Sequence, residues 1–154
     1  MRIEMSGWSV VVPEGWTVVS GNRHGWLRLF LDAEVHGDEG AHTIVSTGVE
    51  LSFECIHPPT LSTIAEYADG VMRRHVGQGA PEISSRDVCG REMRAYQWTD
   101  GVRNIETVFV EIPDSTHFTV LRLDIVVTPS FEADDVAARG RVAASRVLES
   151  LTWH

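Results

Sequence analysis

The chain has 154 residues and a mass of 17.1 kDa, with 43% hydrophobic and 23% charged residues and a net charge of −9. These values fit one globular domain of ordinary size and exclude a disordered tail, a collagen-like repeat and a membrane bundle. All 13 basic residues are Arg, which excludes P-loop, Schiff-base and Ser–Lys chemistries, each of which needs a Lys. The acidic balance, without a basic patch, points away from nucleic acid.

The N-terminus, Met1-Arg-Ile-Glu-Met-Ser-Gly-Trp8, has no uninterrupted apolar run, so it does not read as a secretory signal. No stretch approaches the roughly 18 apolar residues of a membrane helix. A cytoplasmic protein without a membrane span is expected. Cys55 and Cys89 stand in no metal or redox spacing and read as two thiols.

Residues 7–12 alternate and stop at the turn Pro13-Glu14-Gly15, with a short continuation at 16–19. A second strand is expected at 26–31. The polar, Gly-bearing stretch 36–42 reads as a surface loop. The clearest period of two follows: Val45, Thr47, Val49, Leu51, Phe53 and Cys55 face one way, and Ser46, Gly48, Glu50, Ser52 and Glu54 the other. Pro58-Pro59 ends that strand.

A helical period then runs over 60–76, with Leu61, Ile64, Ala68, Val71, Met72 and His75 on one stripe. Thr60, Ser62 or Thr63 can cap it, the last as a capping box with Glu66. Gly77 and Gly79 stop it. A short strand over 82–88 precedes strands at 93–99, 102–112 and 118–127. Asp100-Gly101 is a two-residue hairpin signal, and Pro113-Asp114-Ser115 suits a three-residue turn. A last helix over 131–150 has the stripe Val136, Gly140, Ala143, Val147 and Leu151. Its mid-helix Gly140 implies a close approach to the sheet.

Strands, helix, strands, helix, joined by hairpins, define an α+β fold: one antiparallel sheet of six or seven strands carrying two main helices. The whole chain, 1–154, reads as one domain. The segments Val12-Pro-Glu-Gly-Trp16, Thr60-Leu-Ser-Thr-Ile-Ala-Glu-Tyr67, Tyr96-Gln-Trp-Thr-Asp-Gly101 and Leu148-Glu-Ser-Leu-Thr-Trp153 resemble the PsbP/Mog-like superfamily. That group includes a photosystem extrinsic protein, a Ran-binding import factor, bacterial lipoproteins and effector chaperones. The resemblance covers nearly the whole chain and implies an α/β/α sandwich with a binding rather than a catalytic role. It carries no functional residue onto a motif here, and fold analogy alone does not establish function.

Catalytic signals are absent from the sequence. There is no Gly-x-Ser-x-Gly elbow, and neither Cys sits in a nucleophile context. His36, Asp38, Glu39 and His42 could ligate a divalent metal, but their Gly-rich segment presets no geometry, and a solvated loop is the simpler reading. No cofactor or metal is expected. A non-enzymatic module binding another protein (a chaperone, adaptor or immunity-type partner) is the primary expectation. The alternative is a small-molecule carrier or enzyme with dispersed residues in a sheet–helix pocket.

Register yields the candidate site. A two-residue turn at Asp100-Gly101 sets Gln97 opposite Asn104, Ala95 opposite Glu106 and Trp98 opposite Arg103. A three-residue turn at 113–115 sets Glu106 opposite Arg122. Gln97, Asn104, Glu106, Arg122 and Asp124 then share one polar face. Tyr96, Trp98, Ile105, Phe109, Leu121, Leu123 and Ile125 share the other. A four-residue turn reverses the phase of the third strand and mixes the two sets. The polar stripe reads as a solvated face or as a partner-binding surface.

Overall fold

The computed structural model describes residues 1–21, 25–31, 34–36, 43–45, 48–60, 62–76, 83–88, 90–112, 117–128 and 134–154. In chain order the elements are β1 (Arg2–Met5), β2 (Trp8–Val11), β3 (Trp16–Gly21), β4 (Trp26–Leu31), β5 (Glu34–His36), β6 (Thr43–Val45) and β7 (Val49–Ile56). After α1 (Ile64–Val76) come β8 (Ser84–Val88), β9 (Arg91–Thr99), β10 (Asn104–Glu111) and β11 (Val120–Val127), then α2 (Asp134–Glu149) and β12 (Thr152–Trp153).

A seven-stranded antiparallel sheet in the order β3-β4-β7-β11-β10-β9-β8 forms the centre. The expected single sheet is corrected in one respect. β2 does not join the main sheet but pairs with β1 and β12 in a three-stranded sheet of its own, and β5 and β6 form a separate hairpin. β1 and β12 escape sequence detection because strands of four and two residues are too short to show a period. Ends of the chain close this small sheet: the Met1 ammonium donates to the Val12 carbonyl at 2.9 Å, and the His154 amide to the Gly7 carbonyl at 3.2 Å.

Period two in β7 is realised where it was expected. Val49, Leu51 and Phe53 are fully buried, whereas Glu50 and Ser52 are half-buried and Glu54 is exposed. β7 starts at Val49, just after Gly48, which takes φ +108° and accepts the Thr128 amide at 2.7 Å; the expected strand residues Ser46 and Thr47 lie outside the described residues. A Cβ at Gly48 would lie 2.8 Å from the Thr128 carbonyl oxygen, so backbone approach fixes the bend.

The main sheet is covered on both sides. On one side, Leu27, Leu29, Leu51, Phe53, Val108 and Leu123 pack with Trp8 and Val10 of β2 and with Ala144, Val147 and Leu148 of α2. Trp8 stacks on Phe53 with centroids 5.2 Å apart. On the other side, Ile64, Ala68 and Met72 of α1 pack on Tyr96 and Phe109. Helix α1 begins at the third of the expected caps: the Thr63 hydroxyl accepts the Glu66 amide at 3.2 Å. The buried residues of α2 are Ala144, Val147 and Leu148, with Leu151 just past its end; Val147 and Leu151 are as expected, whereas Ala144 takes the place of the half-buried Ala143. The side chains of Val136 and His75, and the environment of Gly140, lie outside the described residues. So do Leu61, the helix stop at Gly77 and Gly79, and the turn 113–115.

Candidate functional site

The five residues expected on one face are divided between two. The Asp100 turn is a four-residue loop, with Thr99 paired to Asn104, rather than a two-residue one. The Asp100 carboxylate explains this. It accepts the amides of Val102 at 3.0 Å and Arg103 at 2.7 Å and holds the Arg103 guanidinium at 2.8 Å, closing the wider loop. These bonds hold the Asp100 carboxyl down to about 2. Adding two residues to the loop leaves the phase of the faces unchanged, but Gln97 now faces Glu106, Trp98 faces Ile105 and Ala95 faces Val108.

The second connection does change phase. Ile112 donates to the Thr119 carbonyl at 2.9 Å, so the chain between these partners is longer than three residues and even in number. Glu106 therefore faces Ile125, Thr107 faces Asp124 and Phe109 faces Arg122. The expected Glu106–Arg122 pair does not form: the carboxylate opposite Arg122 is Glu54 of β7. One wet face and one dry face do not separate here, because both faces of this sheet are packed, and buried Val120 and Val126 share the face of Arg122 and Asp124 on β11.

Arg122 and Asp124 thus lie on the α1 side. One row across the strands reads Arg28, Ser52, Asp124, Thr107, Tyr96, and its neighbour reads Trp26, Glu54, Arg122, Phe109, Arg94. The indole of Trp98 donates to the Thr107 hydroxyl at 2.9 Å, and that hydroxyl donates to Asp124 Oδ1 at 2.6 Å. Asp124 Oδ2 receives Arg122 Nε at 3.0 Å. With side chains only 22% and 21% exposed, Arg122 and Asp124 are held in place by this chain. Arg28 binds Glu50 at 2.6 Å beside them. Arg122 lies 6.0 Å from the centre of the Phe109 ring, and Tyr67 of α1 meets that ring edge-on at 5.4 Å. Burial raises the Tyr67 and Tyr96 hydroxyls above the usual phenol range, and the Arg122 charge opposes that rise. The Tyr96 hydroxyl is buried, and among the described residues no group meets it in hydrogen-bond geometry; the Thr107 oxygen is already engaged by Trp98 and Asp124.

Gln97, Asn104 and Glu106 lie on the α2 side, where they line a cleft of about 580 Å³. Arg141 and Ser145 of α2 and Ile125 and Val127 of β11 share its lining. Gln97 Nε2 donates to Glu106 Oε2 at 3.5 Å. Sequence reasoning named neither Arg28, Glu50, Thr107 nor Arg141 as a site residue. The alternation of Glu50, Ser52 and Glu54 already signalled the polar row, whereas nothing in the α2 sequence marks Arg141 among its exposed neighbours.

Among the described residues, no group of three or more His, Cys, Asp and Glu is placed to hold a metal ion. The stretch 37–42, Cys89 and His24 lie outside the described residues, as does the side chain of His36. Cys55 is a free thiol, half-buried rather than buried, and burial raises its pKa. His57 Nδ1 lies 3.2 Å from the Thr119 hydroxyl, and that hydroxyl donates to the His117 carbonyl, a turn contact. No helix of the described chain is long and apolar enough to cross a membrane.

No family model matches the chain, and no curated protein matches its sequence. Its structure is similar to that of the Ran-binding protein Mog1p of Saccharomyces cerevisiae, with a TM-score of 0.56 and 10% identity over 99% of this chain and 94% of that one. A point mutant of Mog1 gives the same score and identity over 99% and 95%. LpqN of Mycobacterium tuberculosis, involved in cell envelope biogenesis, matches with a TM-score of 0.54 and 15% identity over 99% and 88%. These likenesses show the fold: the chain is an α+β sandwich like those of Mog1p and LpqN.

Proposed function

We propose that this chain is a non-enzymatic protein-binding module that works through the charged sheet face beside α1. The observation that carries the reading is the pair of adjoining rows on β4, β7 and β11. There Arg28, Glu54, Arg122 and Asp124 stand together on one rigid surface, with Glu50 one row further along β7 and bound to Arg28. Charged groups fixed by their own hydrogen bonds give orientation and partner selectivity at little entropic cost. Tyr67 and Trp98 at the border supply aromatic anchors of the kind that dominate interface energetics. The Ran-binding function of a structural neighbour supports the same class of role, as chaperone, adaptor or immunity-type partner.

Affinity capture from the native host tests this with three proteins: the wild type, Glu54→Arg and Arg122→Glu. Both variants should fold, as judged by circular dichroism, and lose the captured partner. Unchanged recovery with both variants refutes the surface. A second reading, a small-molecule carrier, is favoured by the cleft under α2.

A further inference from the structure

Arg141 and Ser145 are four residues apart on α2, so they share one helix face, and both line the α2-side cleft. Asn104, the first residue of β10, lines it with them. All three are exposed, and among the described residues their side chains make no ion pair or hydrogen bond. Glu106 shares the lining but is already engaged: it accepts from Gln97 and has a further partner. The groups of the lining left to meet a ligand are therefore a guanidinium, a hydroxyl and a primary amide, each able to donate. Ile125 and Val127 of β11 add apolar side chains to the same lining.

One permanent positive charge with two neutral donors selects a single negative charge on the ligand. The protein as a whole carries a net charge of −9, and a lone guanidinium does not offset that field for a multiply charged anion. A carboxylate matches the planar Arg fork, which offers paired N–H donors. It has about four lone-pair sites, enough to accept from the Ser145 hydroxyl and the Asn104 amide as well. A few polar groups set among apolar ones are the usual makeup of small-ligand sites, and about 580 Å³ admits a hydrocarbon body besides the head group.

We propose that this cleft binds a small monocarboxylate with a hydrocarbon body, such as a fatty acid of moderate length. Arg141, with Ser145 and Asn104, takes the carboxylate, and the hydrocarbon lies against Ile125 and Val127. The proposal rests on the carrier reading and is independent of the α1-side face. Four probes test it by isothermal titration calorimetry: hexanoate, acetate, hexanol and hexylammonium.

Hexanoate should bind. Acetate, which lacks a body worth up to roughly fourfold per buried methylene, should bind roughly tenfold or more weakly. Hexanol and hexylammonium keep the body without the negative charge and should also bind roughly tenfold or more weakly. Arg141→Gln, at an exposed position and folded by circular dichroism, should lose the preference for hexanoate over hexanol. Glu54→Arg, on the opposite face, should bind as the wild type does. The proposal is overturned if hexanoate fails to bind at roughly 10 mM. It is equally overturned if any other probe binds as tightly, or if Arg141→Gln keeps wild-type selectivity. Tighter binding of hexanol or hexylammonium would leave a carrier but not of a carboxylate, whereas silence from all four probes removes the carrier reading too. Loss of the protein partner with Glu54→Arg, alongside intact hexanoate binding, separates the two sites.

Discussion

Asp100 shows how a single side chain decides the geometry around it. The dipeptide Asp100-Gly101 signals a two-residue turn, yet the carboxylate gathers two backbone amides and a guanidinium and widens the loop to four residues. Those same bonds lower its pKa from 3.8 to about 2. A carboxyl depressed on folding contributes stability that is complete above its unfolded pKa and is lost as pH falls through the folded one. The contribution of Asp100 should therefore disappear between pH 3.8 and about 2. Asp100→Asn, which keeps an acceptor oxygen but not the charge, should flatten this part of the acid profile. Urea midpoints measured in steps from neutral to acid pH check it; identical profiles for the two proteins would show that the charge contributes nothing. Thr107 decides as much on the neighbouring strands. Its fully buried hydroxyl joins Trp98 to Asp124, a role that no alternation pattern reveals.

Elements were legible where their period was long. The β7 alternation, the α1 stripe with its Thr63 cap, and the β9–β10 hairpin follow from spacing alone, because burial on one face imposes it. What spacing could not supply was the bend at Gly48 just before β7, set by contact with Thr128 across the chain. Two glycines separate these causes. Gly48→Ala meets both a positive φ and a backbone oxygen 2.8 Å away, so it should destabilise by more than about 1 kcal/mol. Gly70→Ala lies within α1 with nothing within 4 Å of the added carbon, so it should stabilise by about 0.5–1 kcal/mol. Equilibrium unfolding of both variants gives the two signs directly, and the same sign for both would refute the argument.

At the scale of the whole molecule, Trp8 joins the small sheet to the large one. It is buried to 1% exposure and stacked on Phe53. Truncating such a ring leaves a cavity at the junction of two layers, and Trp8→Ala should cost about 3–5 kcal/mol. Chemical denaturation measures the loss, and the near-ultraviolet circular dichroism of the native protein should weaken with it. A cost below about 1 kcal/mol would mean that the layers are held mainly elsewhere. This second layer also explains why the polar residues sort as they do. With β2 and α2 on one side and α1 over β9 and β10 on the other, neither face of the main sheet is wholly a solvent face, and each carries its own polar group of residues.

The sequence by itself determined the α+β class, the order of the main elements, both helices and the inward set of β7. Each of these rests on local periodicity, which burial writes into the chain residue by residue. It also pointed to Gln97, Asn104, Glu106, Arg122 and Asp124 as polar side chains projecting from strands. Only the tertiary structure decided which of them meet. The phase of β11 depends on the length of one connection, and a change of one residue there moves every side chain to the opposite face. The register that sets Arg122 opposite Glu54 rather than Glu106, and the placing of Glu106 and Arg141 on the lining of one cleft, are consequences of that phase and of where α2 docks. Contacts between residues far apart in the chain leave no period to read, so packing alone settles them.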